Sequence, residues 1–231
     1  MRTNRAIPAI LILALGACDV STGTNGSASG AEAAPAAAPT ATARFVNSRE
    51  NARTPTLREH YVDFSFDYPA NWRITPPKTD GTERNFVRVA APLDMGFEPY
   101  AFHVGSAYGS GDPETDRRQF EQIIPQFASQ FGSNFQNYRV VSIGPARLGD
   151  YDSYGWLFTA SAPDVRGGAP VQVYGRGDVV LPAGNTEGVL LISLATSRAG
   201  DINSPDQVGA SGPLREIFDS FRIGAAAPAG K

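Results

Sequence analysis

The sequence predicts an α+β domain, an antiparallel β-sheet sandwiched by helices, on three observations. Several runs alternate aromatic or β-branched residues with polar ones, which is the period of a half-buried strand. One stretch, residues 112–131, changes to the period of an amphipathic helix, with Phe120, Ile123, Ile124, Phe127, Ala128 and Phe131 on one stripe. The later strand-like runs are joined by short Gly-, Pro- and Asn-containing connections, which suit antiparallel neighbours.

The elements follow in order. In residues 61–68, Val62, Phe64, Phe66 and Tyr68 face one way and Asp63, Ser65 and Asp67 the other. Pro69, Ala70 and Asn71 turn the chain, and Trp72, Arg73 and Ile74 begin a second strand. Residues 85–92 and 100–108 read as further strands, the latter with Tyr100, Phe102 and Val104 on one face. Asp112 caps the long helix, Pro113 fits its first position, and Glu114 and Asp116 complement its dipole. Pro125 should kink it, and Gly132 can end it. A meander then follows over residues 138–143, 151–161, 171–181 and 188–196. Ser204 to Gln207 has capping-box spacing. Gly212 and Pro213 start a last helix, with Leu214, Ile217, Phe218 and Phe221 at spacings of three and four. An antiparallel sheet covered by helices is the packing this order favours.

The N-terminus places the domain. Arg2 and Arg5 precede an apolar run too short to cross a bilayer as a helix, which needs about 20 residues. Leu15, Gly16, Ala17 and Cys18 resemble the lipobox of bacterial lipoproteins, in which the cysteine is lipidated and becomes the new N-terminus. Ordinary cleavage after Gly16, or an uncleaved intracellular N-terminus, are the competing readings. Cys18 is the only cysteine, so an exported chain would otherwise carry a stray thiol. Asp19 resembles the enteric signal for retention in the inner membrane. Residues 1–17 are thus read as a lipoprotein signal peptide. Residues 18–54, rich in Ala, Ser, Thr, Gly and Pro, read as a disordered tether. Residues 55–224 read as one globular domain and residues 225–231 as a flexible tail. The formal net charge is −3, and losing Arg2 and Arg5 makes it more acidic, which argues against nucleic acid or anionic lipid as the main partner.

The run from Phe64 through Tyr68-Pro69 and Trp72 to Ile74 resembles the opening of PsbP-like domains, where an aromatic strand runs into Tyr-Pro and a Trp follows a tight turn. Ile217, Phe218, Asp219, Ser220 and Phe221 resemble the close of the last helix in that family. The resemblance implies an α/β/α sandwich over residues 58–223. The wider group includes a photosystem II accessory subunit, a Ran-binding import factor and bacterial lipoproteins, and none is known chiefly as an enzyme. Fold analogy alone does not assign a function.

The candidate chemistry is sparse. His60 and His103 stand in no zinc-binding spacing, and with Cys18 used as an anchor the domain offers no standard zinc set. His103 is read as structural. Gly105 to Gly109 and Gly209 to Gly212 do not form a nucleophile elbow. Asp112, Glu114 and Asp116 lack EF-hand spacing, Asp150 and Asp152 flank a turn, and Gly175, Arg176, Gly177 and Asp178 give half a dinucleotide fingerprint. Tyr151, Tyr154, Trp156, Phe158 and Tyr174 read as sheet core, with an amphipathic binding surface as the alternative. No catalytic residue, cofactor or metal ligand is assigned; Cys18 is the one functional residue. The expected function is a non-catalytic interaction module on a lipid anchor facing the periplasm, the inner membrane favoured by Asp19, with the membrane and a protein of the envelope as partners and no nucleic acid. An envelope hydrolase with a spatially assembled site and a divalent-metal accessory protein are the alternatives.

Overall fold

A computed structural model describes residues 41–75, 84–94, 96–164 and 168–224. The signal peptide, Cys18, the tether up to residue 40 and the tail 225–231 lie outside the described residues. The elements are β1 (Thr42–Val46), α1 (Pro55–Glu59), β2 (Phe64–Pro69), β3 (Arg73–Thr75), β4 (Asn85–Ala90), β5 (Tyr100–Tyr108), α2 (Pro113–Gly132), β6 (Gln136–Leu148), β7 (Tyr151–Ala162), β8 (Val171–Val180), β9 (Glu187–Thr196), α3 (Gly212–Ser220) and β10 (Arg222–Ile223), with single 3₁₀ turns at Arg49–Asn51 and Pro205–Gln207.

The strands form two sheets. Seven stand in the order β3-β4-β5-β9-β8-β7-β6, and three in the order β1-β2-β10. Every pairing is antiparallel. The predicted meander is β6 to β9, and its last strand closes onto β5, so two meanders share one sheet. Helix α2 covers one face of this sheet: Phe120, Ile124, Phe127, Ala128 and Phe131 pack on Trp156, Phe158, Ala160, Val173, Val179 and Ile192. The small sheet and α3 cover the other, where Phe66 meets Phe102 edge-on at 5.1 Å and Phe221 lies against Phe64, Phe66 and Phe102. The class is α+β, with an antiparallel sheet between helical layers, as the periodicity predicts.

Helix α2 has the predicted start, with the Thr115 N–H donating to Asp112 Oδ1 at 2.8 Å. It runs through Pro125, which sits on the exposed face. The capping-box spacing at Ser204 yields the 3₁₀ turn Pro205–Gln207 without a cap bond from the Ser204 side chain; instead Gln207 Oε1 accepts from the Asn203 N–H at 2.8 Å.

The domain start moves. The tether read over 18–54 does not extend through residues 42–54, because β1 pairs with β2 from Thr42 opposite Pro69 to Val46 opposite Ser65. Phe45 anchors β1 by stacking on Phe66 at 5.2 Å. Two adjacent large apolar side chains, Phe45 and Val46, among small and polar residues give composition too little to register. The strand read over 61–68 forms over Phe64–Pro69 and belongs to the second sheet rather than the main one, and Ser65, expected on a solvent face, is fully buried as part of its central strand.

The Ser220-Phe221 close has a physical reason. The Asp67 N–H donates to Ser220 Oγ at 2.9 Å, and Ser220 Oγ donates to the Glu216 carbonyl at 2.7 Å, tying α3 to β2. Ser220→Ala should cost about 1 kcal/mol through the strand amide it strands. Urea denaturation would show this as a lowered midpoint at unchanged slope.

Candidate functional site

The groups with chemical potential collect at the two ends of the β5–β9 ladder. At one end, Tyr108 pairs with Glu187 across the strands. His60, which follows α1, brings Nδ1 to 2.9 Å from Glu187 Oε2 and stacks on the Tyr108 ring at 4.0 Å. The side chains of His60 and Glu187 are 17% and 34% exposed, so water reaches the pair. A carboxylate-oriented imidazole is two thirds of a Ser-His-Asp arrangement. Here one ring face is occupied by a phenol, and the arrangement also fits a structural clasp between α1 and the sheet.

At the other end, Trp72 stacks on Tyr100 at 5.6 Å, and the Tyr100 hydroxyl donates to the Asp201 carboxylate. Burial first, then the hydrogen bond to Asp201, raises the Tyr100 pKa above the ordinary phenol range. Glu98 takes Arg73 at 3.3 Å and also Arg88. A shallow depression of about 260 Å³ lies beside them, lined by Asn71, Arg73, Ala91, Pro92 and Leu93.

Other residues singled out from the sequence have structural partners. His103 is 3% exposed, on the sheet face it shares with Ile192 and Arg88. Burial, with the Arg88 charge beside it, lowers its pKa to about 3. Asp116 is buried and accepts from the Ser110 N–H at 2.6 Å, the Ser110 hydroxyl at 2.8 Å and the Gly111 N–H at 3.2 Å, so it locks the loop before α2 rather than merely complementing the dipole. Asp152 pairs with Arg147 at the surface. Asp178, 1% exposed, accepts from Arg176 at 2.7 and 2.9 Å and from Ser153 at 3.0 Å. Arg176 also lies over the Phe218 ring at 5.0 Å. That Arg-Gly-Asp is therefore an internal ion pair. Trp156 and Phe158 are buried under α2, so the surface reading of the aromatic group gives way to core. Among the described residues, no three His, Cys, Asp or Glu side chains gather as a metal site would require.

Sequence reasoning did not find Glu187, Glu98 or Asp201. Glu187 meets His60 through the β5–β9 register, Glu98 meets Arg73 and Arg88 through the pairing of β3, β4 and β5, and Asp201 reaches Tyr100 from the loop after β9; no local motif marks any of the three.

No family model matches the chain, and no curated protein matches it in sequence. Among solved structures, cyanobacterial PsbP (CyanoP) from Synechocystis sp. PCC 6803 is similar at 11% identity, over 83% of this chain and 98% of that one, with a TM-score of 0.47. LpqN of Mycobacterium tuberculosis, described as involved in cell envelope biogenesis, is similar at 14% identity over 79% and 91%, with a TM-score of 0.43. The Ran-binding protein Mog1p of Saccharomyces cerevisiae is similar at 10% identity over 69% and 89%, with a TM-score of 0.35. PsbP and a Ran-binding protein, both named by the sequence resemblance, are thus among the similar structures, and the likeness is one of fold alone.

Proposed function

We propose that the chain is a non-catalytic interaction module of the bacterial cell envelope, held to a membrane by lipidated Cys18. The observation that carries this reading is the N-terminus itself: Leu15, Gly16, Ala17 and Cys18 close an apolar signal-like run and hold the only cysteine of the chain. Two or more acyl chains give durable anchoring where one gives marginal binding. The envelope placement rests on these residues and not on the likeness to LpqN. The binding role is supported by the engagement of both histidines in structural contacts, His60 in the clasp and His103 inside the sheet layer. The partners are the membrane and an envelope protein.

Cys18→Ser should move the full chain from the membrane fraction to the soluble fraction, and mass spectrometry should find acyl chains on the wild-type N-terminal fragment only. Unchanged membrane association of the variant would sink the anchor. Crosslinking in native envelopes followed by pull-down identifies the protein partner.

A second reading, an envelope hydrolase, is favoured by one observation: the 2.9 Å His60–Glu187 pair within reach of water. Hydrolysis of a chromogenic ester that disappears in His60→Ala would establish it, and the module reading expects no such turnover.

A further inference from the structure

We propose that the loop between β4 and β5, with the neighbouring β3, is a membrane-docking face, and that Leu93 and Ile74 enter the interface of the bilayer that anchors Cys18. The inference rests on the lipid-anchor reading above and goes beyond it by giving the domain an orientation.

The first argument is where the chain comes in. The Ala70 N–H donates to the Ala41 carbonyl at 2.7 Å, so the segment arriving from Cys18 joins the domain at the turn between β2 and β3. Arg73 of β3 pairs with Ala90, the last residue of β4, so Ala91, Pro92 and Leu93 lie at this same end. His60, Tyr108 and Glu187 lie at the opposite end of the ladder. Only residues 18–40 separate Cys18 from this point, so this end of the domain is the one joined directly to the anchor.

The second argument is what that end displays. Among the described residues four large apolar side chains are exposed, and Leu93 at 64% and Ile74 at 37% are two of them. Val46 stands at the far end of β1 and Val141 on the outer edge strand β6. Pro92 is also exposed, and Phe97 is half-buried in the same loop. The loop is held in shape: Asp94 and Phe97 exchange backbone hydrogen bonds of 2.7 and 2.9 Å, and the Ala91 N–H donates to the Tyr100 carbonyl at 3.0 Å. Its apolar side chains are therefore presented without an ordering cost at docking.

The charges fit a docking driven by apolar burial. Glu98 is engaged by both Arg73 and Arg88, and Arg73, the most exposed of the three side chains at 70%, can lie at headgroup level with its stem along the apolar patch. A patch this small would bind a membrane poorly by itself. The tether makes docking intramolecular, at an effective concentration on the order of millimolar, so a weak contact suffices.

The test uses the full acylated chain in vesicles of phosphatidylethanolamine with a minority of phosphatidylglycerol, read by amide hydrogen exchange. The full-length Cys18→Ser chain, free in solution, is the reference. The amides of Ala91, Leu93, Asp94 and Phe97 should exchange about ten-fold slower in the vesicle-bound chain, and Leu93→Asp should abolish the difference. Leu93 is exposed, so this variant keeps the fold, and the wild-type comparison stands without it. An acylated, floating chain whose loop amides exchange at the reference rate overturns the docking and leaves the anchor intact. A chain that carries no acyl group overturns the anchor and the docking with it. Loop protection that also develops in the concentrated Cys18→Ser chain without lipid assigns the face to self-association and overturns the proposal.

Discussion

Gly177→Ala should destabilise the domain by about 3 kcal/mol, lowering its melting temperature by about 10 °C. Gly177 of β8 stands directly across from Trp156 of β7, and the indole lies over its α-carbon. A β-carbon there would overlap three ring atoms of Trp156, far inside van der Waals contact. The ring has nowhere to go, because it is 1% exposed and is met edge-on by Phe127 at 5.5 Å and Phe131 at 6.4 Å from α2. Gly175 repeats the arrangement under Phe158, which Phe131, Phe135 and Tyr138 enclose. Gly175→Ala should cost a similar amount. Differential scanning calorimetry checks both. A double variant, Gly177→Ala with Trp156→Leu, should lose less than the sum of the single losses, because the smaller side chain removes the overlap. Strict additivity would mean that the glycine acts through backbone freedom and not as a seat for the ring.

The same four residues show what a sequence can and cannot declare. Gly175, Arg176, Gly177 and Asp178 carry only half of a nucleotide-binding pattern. The structure explains the alternation by the two faces of β8: the glycines seat aromatic rings under α2, and Arg176 and Asp178 form the ion pair on the other face. Alternation along a strand was legible, and so were β5 from Tyr100 to Tyr108 and the cap and stripe of α2, since each is a local pattern of period two or 3.6. What joins strands distant in sequence was not. β1 and β10 are short and owe their existence to β2, with Phe45 and Ile223 as their only large apolar residues besides Val46. The candidate site suffered more. His60 was visible as one of two histidines, but Glu187 lies 127 residues away and reaches it through the pairing of β5 with β9. The depression beside Arg73 depends on two segments, 71–73 and 91–93, meeting at one end of the sheet, for which the sequence has no signal.

The second large effect is on acid stability, and it belongs to His103. Its imidazole is buried beside Ile192 and across from Arg88, and Nδ1 has no hydrogen-bond partner. Charging the ring would place an unpaired cation in the sheet layer next to a guanidinium, so desolvation first and Arg88 second bring its pKa down to about 3 from an ordinary 6.5. The unfolded chain takes up the proton near the ordinary value while the folded one resists it. Protonation therefore favours unfolding: stability is unaffected above pH 6.5 and falls as the pH drops from 6.5 toward 3, by up to about 1.4 kcal/mol per pH unit. Between pH 7 and pH 4.5 the loss from this group should be about 2–3 kcal/mol. His103→Leu removes the titrating group and fills nearly the same space. It should be at least as stable as the wild type at neutral pH, since an unsatisfied polar atom is replaced by an apolar one. Urea midpoints at the two pH values decide the matter. The variant should keep its midpoint across the interval in which the wild type loses it, and an equal loss in both chains would assign the acid sensitivity to another group.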